Sequence, residues 1–239
     1  MGETPKVYLA VGHGRRPDGT IDPGATLGSA TEQNQGEPIV EACAARLLAA
    51  GLNVRWQKAG DPNFPGYTKA ANEYGADLAV SVHHDWSGAP RGAFGFWISP
   101  EGKRAADAIF RAVERAGFPM RPSWHKRRDN LHFLNNTRMP AVLWECDRVG
   151  SVTNHSRYGR ALAKGILDYF DWTASEPLKD GAMTPAQEAK LDESLTRLGE
   201  LEARVQSLRD DMTNVHLRPL RRTARAIATH LGLDVQDGA

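Results

Sequence analysis

From residue 6 to about residue 172 the chain alternates short apolar runs with amphipathic stretches. Five runs rich in β-branched and aromatic residues have the length of strands. They are Val7 to Val11, Leu52 to Trp56, Leu78 to Val82, Phe94 to Ile98 and Val142 to Cys146. Between them, apolar residues recur at four-residue spacing, which predicts helices with one buried face. These are Pro38 to Ala50, Glu101 to Ala116 and Tyr158 to Phe170. The alternation predicts an α/β domain over residues 1–173, with a mixed, mostly parallel sheet flanked by helices.

The pattern changes after residue 173. Residues 174–186 are polar, contain two prolines and a glycine, and lack periodicity, which predicts a linker. In residues 187–239 the apolar positions follow a heptad spacing with one three-residue step out of phase, as in a coiled coil. The seam consists of Leu191, Leu195, Leu198, Leu201, Val205, Leu208, Met212 and Val215. An isolated helix would expose this stripe, so we expect an α-helical coiled-coil segment that forms a homo-oligomer. The alternative is that the basic helix from Leu220 to Leu231 anchors the chain to a target surface.

Composition narrows the classes of function. The chain has 239 residues, a net charge of +1 and a pI near 7.9, so no overall charge favours binding to nucleic acid. It lacks the roughly 18 consecutive apolar residues of a membrane span and begins without a signal-peptide pattern. We therefore expect synthesis in a cytoplasm, without a signal peptide. Cys43 and Cys146 lie far apart, so histidine and carboxylate would have to hold any bound metal.

Three ionisable residues stand at or near the ends of predicted strands. His13 follows the first strand between two glycines, His83 follows the third, and Glu145 lies behind the last apolar run. Two histidines at strand ends are a plausible half of a zinc site, which needs a third protein ligand and an open position for catalysis. The alternative is structural: each histidine packs through hydrogen bonds, and Glu145 forms an ion pair with Arg138 or Arg148.

A series of short motifs carries more information than any single residue. They are GHG at 12–14, DPGA at 22–25, TEQ at 31–33, AAN at 70–72, AD at 76–77, SVH at 81–83 and MPAVLWE at 139–145. In this order they resemble the motifs of zinc-dependent N-acetylmuramoyl-L-alanine amidases, which cut peptidoglycan, and especially the catalytic domains of bacteriophage endolysins. The resemblance covers Val7 to about Phe170.

The resemblance implies a role for four residues. His13, Glu32 and His83 would bind one zinc ion, and Glu145 would be the catalytic carboxylate. The implied reaction is hydrolysis of the amide bond between N-acetylmuramic acid and L-alanine in peptidoglycan, in the setting of host-cell lysis by a phage. The enzyme would act on the cell wall after synthesis in the host cytoplasm.

The glutamate ligand has an alternative. A helix that begins at Glu32 would carry Pro38 in its second turn, so we expect residues 32–37 to be irregular, which leaves Glu37 as the second choice. His84 points to the opposite side from His83 if the strand continues, and it would then support the metal ligands or contact substrate.

A basic and aromatic segment precedes the last strand. Residues 121–136 include Arg128 and Trp124, which we expect to contact sugar or stem-peptide carboxylates along a groove. A solvated loop is the alternative.

Two rival functions share parts of this pattern. A zinc peptidase or carboxypeptidase would use the same metal on the stem peptides of the wall. A catalytically inactive wall-binding or assembly protein would keep the fold and act through its coiled coil. The intact set of His13, Glu32, His83 and Glu145 argues against the inactive protein.

Overall fold

The structure, a computed structural model, describes residues 3–57, 61 and 65–173, with the side chains of residues 124 and 125 outside the description. Its strands are β1 (Lys6–Ala10), β2 (Gly14–Arg15), β3 (Ile21–Asp22), β4 (Thr26–Leu27), β5 (Ala30–Thr31), β6 (Asn53–Trp56), β7 (Leu78–Asp85), β8 (Ala93–Trp97), β9 (Met120–Arg127) and β10 (Ala141–Arg148). Its helices are α1 (Glu32–Ala49), α2 (Gly66–Tyr74), α3 (Pro100–Arg115), α4 (His132–Asn136) and α5 (His155–Tyr169).

One six-stranded sheet organises this region, in the order β6-β1-β7-β10-β8-β9. Strands β6, β1, β7 and β10 are parallel, while β8 pairs antiparallel with β10 and parallel with β9. Two short hairpins, β2–β3 and β4–β5, lie between β1 and α1. The predicted mixed, mostly parallel sheet flanked by helices is therefore confirmed.

The two faces of the sheet carry different cores. Helices α1, α3 and α5 cover one face, where alternate residues of β7 such as Val80 and Val82 are buried. The other face holds a smaller aromatic cluster with α2 and α4, which includes Tyr67 and Phe133. Because side chains alternate along a strand, Ser81 and His83 fall on this second, less covered face.

Two elements begin or end elsewhere than the sequence predicts. Strand β7 continues through His83 to Asp85, because its pairing with β10 extends that far. Helix α1 begins at Glu32 rather than at Pro38, so the expected irregularity of residues 32–37 is wrong. A capping box fixes this start: Asn34 N donates to Thr31 Oγ1 at 3.0 Å, and Thr31 N donates to Asn34 Oδ1 at 2.9 Å. The proline is accommodated inside the helix.

Helices α2 and α4 and strand β9 are absent from the prediction. Strand β9 has no apolar alternation and contains Pro122. Among the described strands it lies at the sheet edge and pairs only with β8. An edge strand tolerates proline because one of its sides makes no ladder hydrogen bonds.

The predicted linker at residues 174–186 and the coiled-coil segment at residues 187–239 lie outside the described residues. In the part that the structure describes, no helix combines the length and apolarity that crossing a membrane requires.

His84 is an ionisable ring inside the larger core. Its side chain is 1% exposed, and neither ring nitrogen has a hydrogen-bond partner among the described residues. Burial lowers the pKa of His84 from 6.5 to about 4, so the ring is neutral at physiological pH. The unfolded chain therefore binds a proton between these two pH values that the folded chain does not.

We predict that His84 makes the fold acid-sensitive. Stability should fall as the pH is lowered from 6.5 to 4, and replacing His84 by Leu should remove about 3 kcal/mol of this loss. Denaturant unfolding of both proteins across this range, with chelator present so that metal release does not contribute, measures the effect. An unchanged pH dependence in the variant would contradict the assignment.

Candidate metal centre and catalytic cleft

Three side chains converge at the carboxyl-terminal end of the parallel strands. His13 follows β1, His83 lies near the end of the neighbouring strand β7, and Glu32 is the first residue of α1. One potential ligand atom from each lies within 4.8 Å of the others, and the three form a possible metal-binding group. Glu37 is not among them and instead accepts a hydrogen bond from Gln33 Nε2 at 3.0 Å.

Each histidine presents one ring nitrogen to Glu32 and the other to a supporting group. Glu32 Oε2 lies 3.1 Å from His13 Nε2 and 3.3 Å from His83 Nδ1. On the far side of the rings, His13 Nδ1 is 3.4 Å from Asp22 Oδ2, and His83 Nε2 is 3.0 Å from Ser81 Oγ. Such outer contacts set ring orientation and tautomer, as they do around protein metal ions.

Glu32 is itself held from several directions. Its Oε1 accepts a hydrogen bond from Ala25 N at 2.7 Å, and its Oε2 accepts one from His84 N at 3.1 Å. Burial opposes the charge of this carboxylate, but its hydrogen bonds with the two histidines outweigh burial and lower the pKa of Glu32. The carboxylate also benefits from its place in the first turn of a helix. It is therefore ionised and fixed in position.

Two glycines let the backbone approach this cluster. Gly12 has φ +82°, and a Cβ there would lie 2.1 Å from His83 Nε2. Gly24 has φ +71°, and a Cβ there would lie 2.7 Å from Glu32 Cβ. Both positions require glycine, because any side chain would meet a member of the cluster as well as an unfavourable backbone conformation.

The two histidines respond differently to the same carboxylate. Burial opposes a charge on His13, but the Glu32 hydrogen bond and the nearby Asp22 outweigh it and raise the pKa of His13. Burial dominates at His83 and lowers its pKa despite Glu32. His83 is therefore neutral and ready to bind a metal at pH 7, whereas a metal must compete with a proton at His13.

Glu145 stands beside this group on the neighbouring strand. It pairs with His83 across the β7–β10 ladder, so both side chains leave the sheet on the same face. Its Oε2 is buried and has no hydrogen-bond partner among the described residues. Burial, and then the charges of Glu32 and Asp85, raise the pKa of Glu145 well above its usual value, while Arg121 opposes the shift.

The ion pairs considered for Glu145 do not form in the described residues. Arg148 Nε instead donates to Ser151 Oγ at 3.2 Å. Arg121, which the sequence did not single out for this place, donates to Asp85 Oδ2 at 2.9 Å and stacks 3.9 Å from the ring centroid of Phe94.

A cleft of about 680 Å³ opens over His13 and His83. Much of its lining is apolar and includes Tyr67, Phe133 and Leu143, while Arg16 and Asp22 contribute charge. Sequence reasoning missed both charged residues. Asp22 belongs to the DPGA motif that carried the resemblance, and this was the available signal for it. A second groove of about 430 Å³ shares Pro65 and His132 with the cleft and is more polar.

The structure describes the side chains of two of the three predicted substrate residues, His84 and Arg128. His84 directs its ring into the core and only its backbone N–H towards Glu32, so the placement favours support of a ligand over contact with substrate. Arg128 is exposed, stacks 5.1 Å from the ring centroid of Phe96 and donates from Nε to Asn130 Oδ1 at 3.0 Å. The side chain of Trp124 is outside the described residues. Part of the segment 121–136 does line the cleft, through residues 131–133.

Comparison with known proteins identifies the family. The model of the N-acetylmuramoyl-L-alanine amidase family matches residues 7–168. No curated protein matches the chain.

Solved structures of the same fold include several amidases. The CwlD amidase of Clostridioides difficile, solved in complex with the GerS lipoprotein, aligns with a TM-score of 0.61 and 20% identity over 70% of this chain and 99% of its own. The catalytic domain of CwlV, an N-acetylmuramoyl-L-alanine amidase from Bacillus (Paenibacillus) polymyxa var. colistinus, aligns with a TM-score of 0.59 and 21% identity over 71% of this chain and 100% of its own. The catalytic domain of the CD27L endolysin, which targets Clostridia difficile, aligns with a TM-score of 0.56 and 17% identity over 69% of this chain and 97% of its own. At these identities the structures establish a shared fold. The family model covers more than half of this chain. The chain therefore belongs to the N-acetylmuramoyl-L-alanine amidase family, whose members hydrolyse the amide bond between N-acetylmuramic acid and L-alanine in peptidoglycan.

Proposed function

We propose that this amidase binds one zinc ion through His13 Nε2, a carboxylate oxygen of Glu32 and His83 Nδ1. The observation that carries the proposal is the convergence of these three ligand atoms within 4.8 Å. Two imidazoles and one carboxylate are a donor set that catalytic zinc uses, with a further position left for water or substrate. The contacts of His13 with Asp22 and of His83 with Ser81 orient both rings as such a site requires.

We propose that Glu145 moves the proton in the reaction. Zinc bound here would supply Lewis acidity towards the substrate carbonyl and lower the pKa of a bound water. Glu145 accepts the proton of the attacking water and then donates it to the departing amide nitrogen, which is a poor leaving group unless protonated. Burial raises the pKa of Glu145, and a higher pKa makes its carboxylate a better proton acceptor.

The setting and the outer substrate contacts are also proposals. The order of sequence motifs supports an endolysin that lyses a phage host, and the fold shared with the CD27L endolysin domain is compatible with this setting. Arg128 and Trp124 would contact the wall polymer beyond the cleft. The exposed guanidinium of Arg128 supports its part in this role.

The proposed ligand set predicts that zinc binding depends on Glu32 but not on Glu37, which lies in the same helix. Replacing Glu32 by Gln should reduce bound zinc from one ion per chain to well below one, because an amide is a weaker ligand and does not balance the metal charge. Glu37→Gln is the matched control and should keep the ion, since Glu37 lies outside the cluster. Metal analysis after gel filtration, together with clearing of purified walls with and without chelator, measures both. Equal zinc in the two variants would rule out Glu32 as a ligand.

The proposed role of Glu145 predicts that its replacement abolishes turnover but leaves zinc bound. Glu145→Gln should keep its zinc and reduce the rate by a factor of about 100 or more, because the amide cannot carry the proton. Glu41→Gln, at an exposed position of α1, is the control. Mass spectrometry of digested walls should find new L-alanine amino termini with the wild type. Released D-amino acids would indicate a peptidase, and an active Glu145→Gln protein would remove the proposed role.

We propose, finally, that the heptad seam in residues 187–239 joins copies of the chain. The full-length protein at micromolar concentration should then have a mass that is a multiple of 26.2 kDa. Replacing Leu198 by Asp should shift it to the monomer, because a charge in a coiled-coil seam is costly. Light scattering coupled to gel filtration measures both masses, and a wild-type mass of 26.2 kDa would exclude oligomerisation through the seam.

A further inference from the structure

The hairpin of β2 and β3 places a cation above the metal centre. Gly14 pairs with Asp22 and Arg15 with Ile21, and Arg16 N donates to Thr20 O at 2.8 Å to close the turn. Arg16 follows β2 and lines the cleft beside His13. Among the described residues that line the cleft, Arg16 is the only arginine or lysine.

The Arg16 guanidinium has one long contact, with Asp22, and remains largely exposed. Its Nη2 lies 3.5 Å from Asp22 Oδ1, a contact longer than a normal hydrogen bond, and 53% of the side chain is exposed. The other oxygen of the same carboxylate, Asp22 Oδ2, lies 3.4 Å from His13 Nδ1. Asp22 thus contacts both the Arg16 guanidinium and the His13 ring, and Arg16 lines the cleft with more than half of its side chain exposed.

A guanidinium in this place fits a carboxylate ligand. Arginine binds carboxylates through two parallel hydrogen bonds, and Arg16 offers these donors among largely apolar lining residues. The substrate offers one nearby: in peptidoglycan stem peptides the residue after L-alanine is a glutamyl residue whose α-carboxyl is free in some walls and amidated in others. Two extended residues span roughly 7 Å, so this group would lie within that distance of a scissile amide held at the metal.

We propose that Arg16 is a specificity-determining residue that binds the α-carboxylate of the second stem-peptide residue, so that the enzyme distinguishes free from amidated stems. The proposal rests on the amidase function proposed above and names the substrate class of that same site. Arg15 provides the contrast, since its Nη1 donates to Gly19 O at 3.3 Å and it does not line the cleft.

Two soluble N-acetylmuramoyl-L-alanyl-γ-D-glutamyl-L-lysine peptides test the proposal, both with amidated C-termini and differing only in a free or amidated glutamyl α-carboxyl. The wild type should have a KM about tenfold lower for the free form, as expected when a charged hydrogen bond is lost. Arg16→Ala should raise the KM for the free peptide to the KM for the amidated peptide. Arg15→Ala should behave as wild type, and Arg16→Lys should keep part of the preference.

Two results would overturn the proposal. Arg16→Ala could keep the wild-type preference, or it could lose activity equally on both peptides, which would mean that Arg16 only positions Asp22 and His13. Failure of the amidase proposal is separate, because the wild type would then release no L-alanine amino terminus from either peptide. Calorimetric titration of both peptides into zinc-loaded Glu145→Gln protein reads the preference without turnover, and equal affinities there would also reject the role of Arg16.

Discussion

The site depends on one buried carboxylate. Glu32 contacts His13 and His83 and accepts hydrogen bonds from the backbone of Ala25 and His84, so three separate parts of the chain meet at this side chain. A buried carboxylate is tolerated only when charges or hydrogen-bond donors satisfy it. The same group opens helix α1, and the position of this helix on the sheet is therefore tied to the assembly of the cluster.

The pleat of β7 directs the side chains of His83 and His84 to opposite faces of the sheet. His83 faces the cleft and is supported by Ser81 two positions earlier, while His84 enters the core under the larger helices. The neighbouring strand places Glu145 opposite His83 in the ladder. A shift of one residue in this register would exchange the two faces and separate Glu145 from the cluster of His13, Glu32 and His83.

Negative charge accumulates around the centre and accounts for its electrostatics. Four carboxylates surround it, and two arginines compensate them in part. The carboxylates are Asp22, Glu32, Asp85 and Glu145, and the arginines are Arg16 and Arg121. Burial opposes a charge on His13, but Glu32 and Asp22 outweigh it and raise the pKa of His13. Burial, and then Glu32 and Asp85, raise the pKa of Glu145. It also favours a divalent cation at the ligand cluster, since burial of several like charges is otherwise costly.

The sequence by itself determined the alternation of strands and helices, the long helices α1, α3 and α5, and the motifs that identify the family, because periodicity and short motifs are local properties of the chain. It did not determine the short helices, the edge strand β9 or the start of α1, where capping and edge position outweigh the local pattern. Only the tertiary structure placed Glu32 rather than Glu37 beside His13 and His83, turned the ring of His84 away from the cleft, and brought Asp22 to His13 and Arg16 to Asp22. The physical reason is that convergence depends on strand register and hairpin geometry, which are set by contacts between residues far apart in the chain.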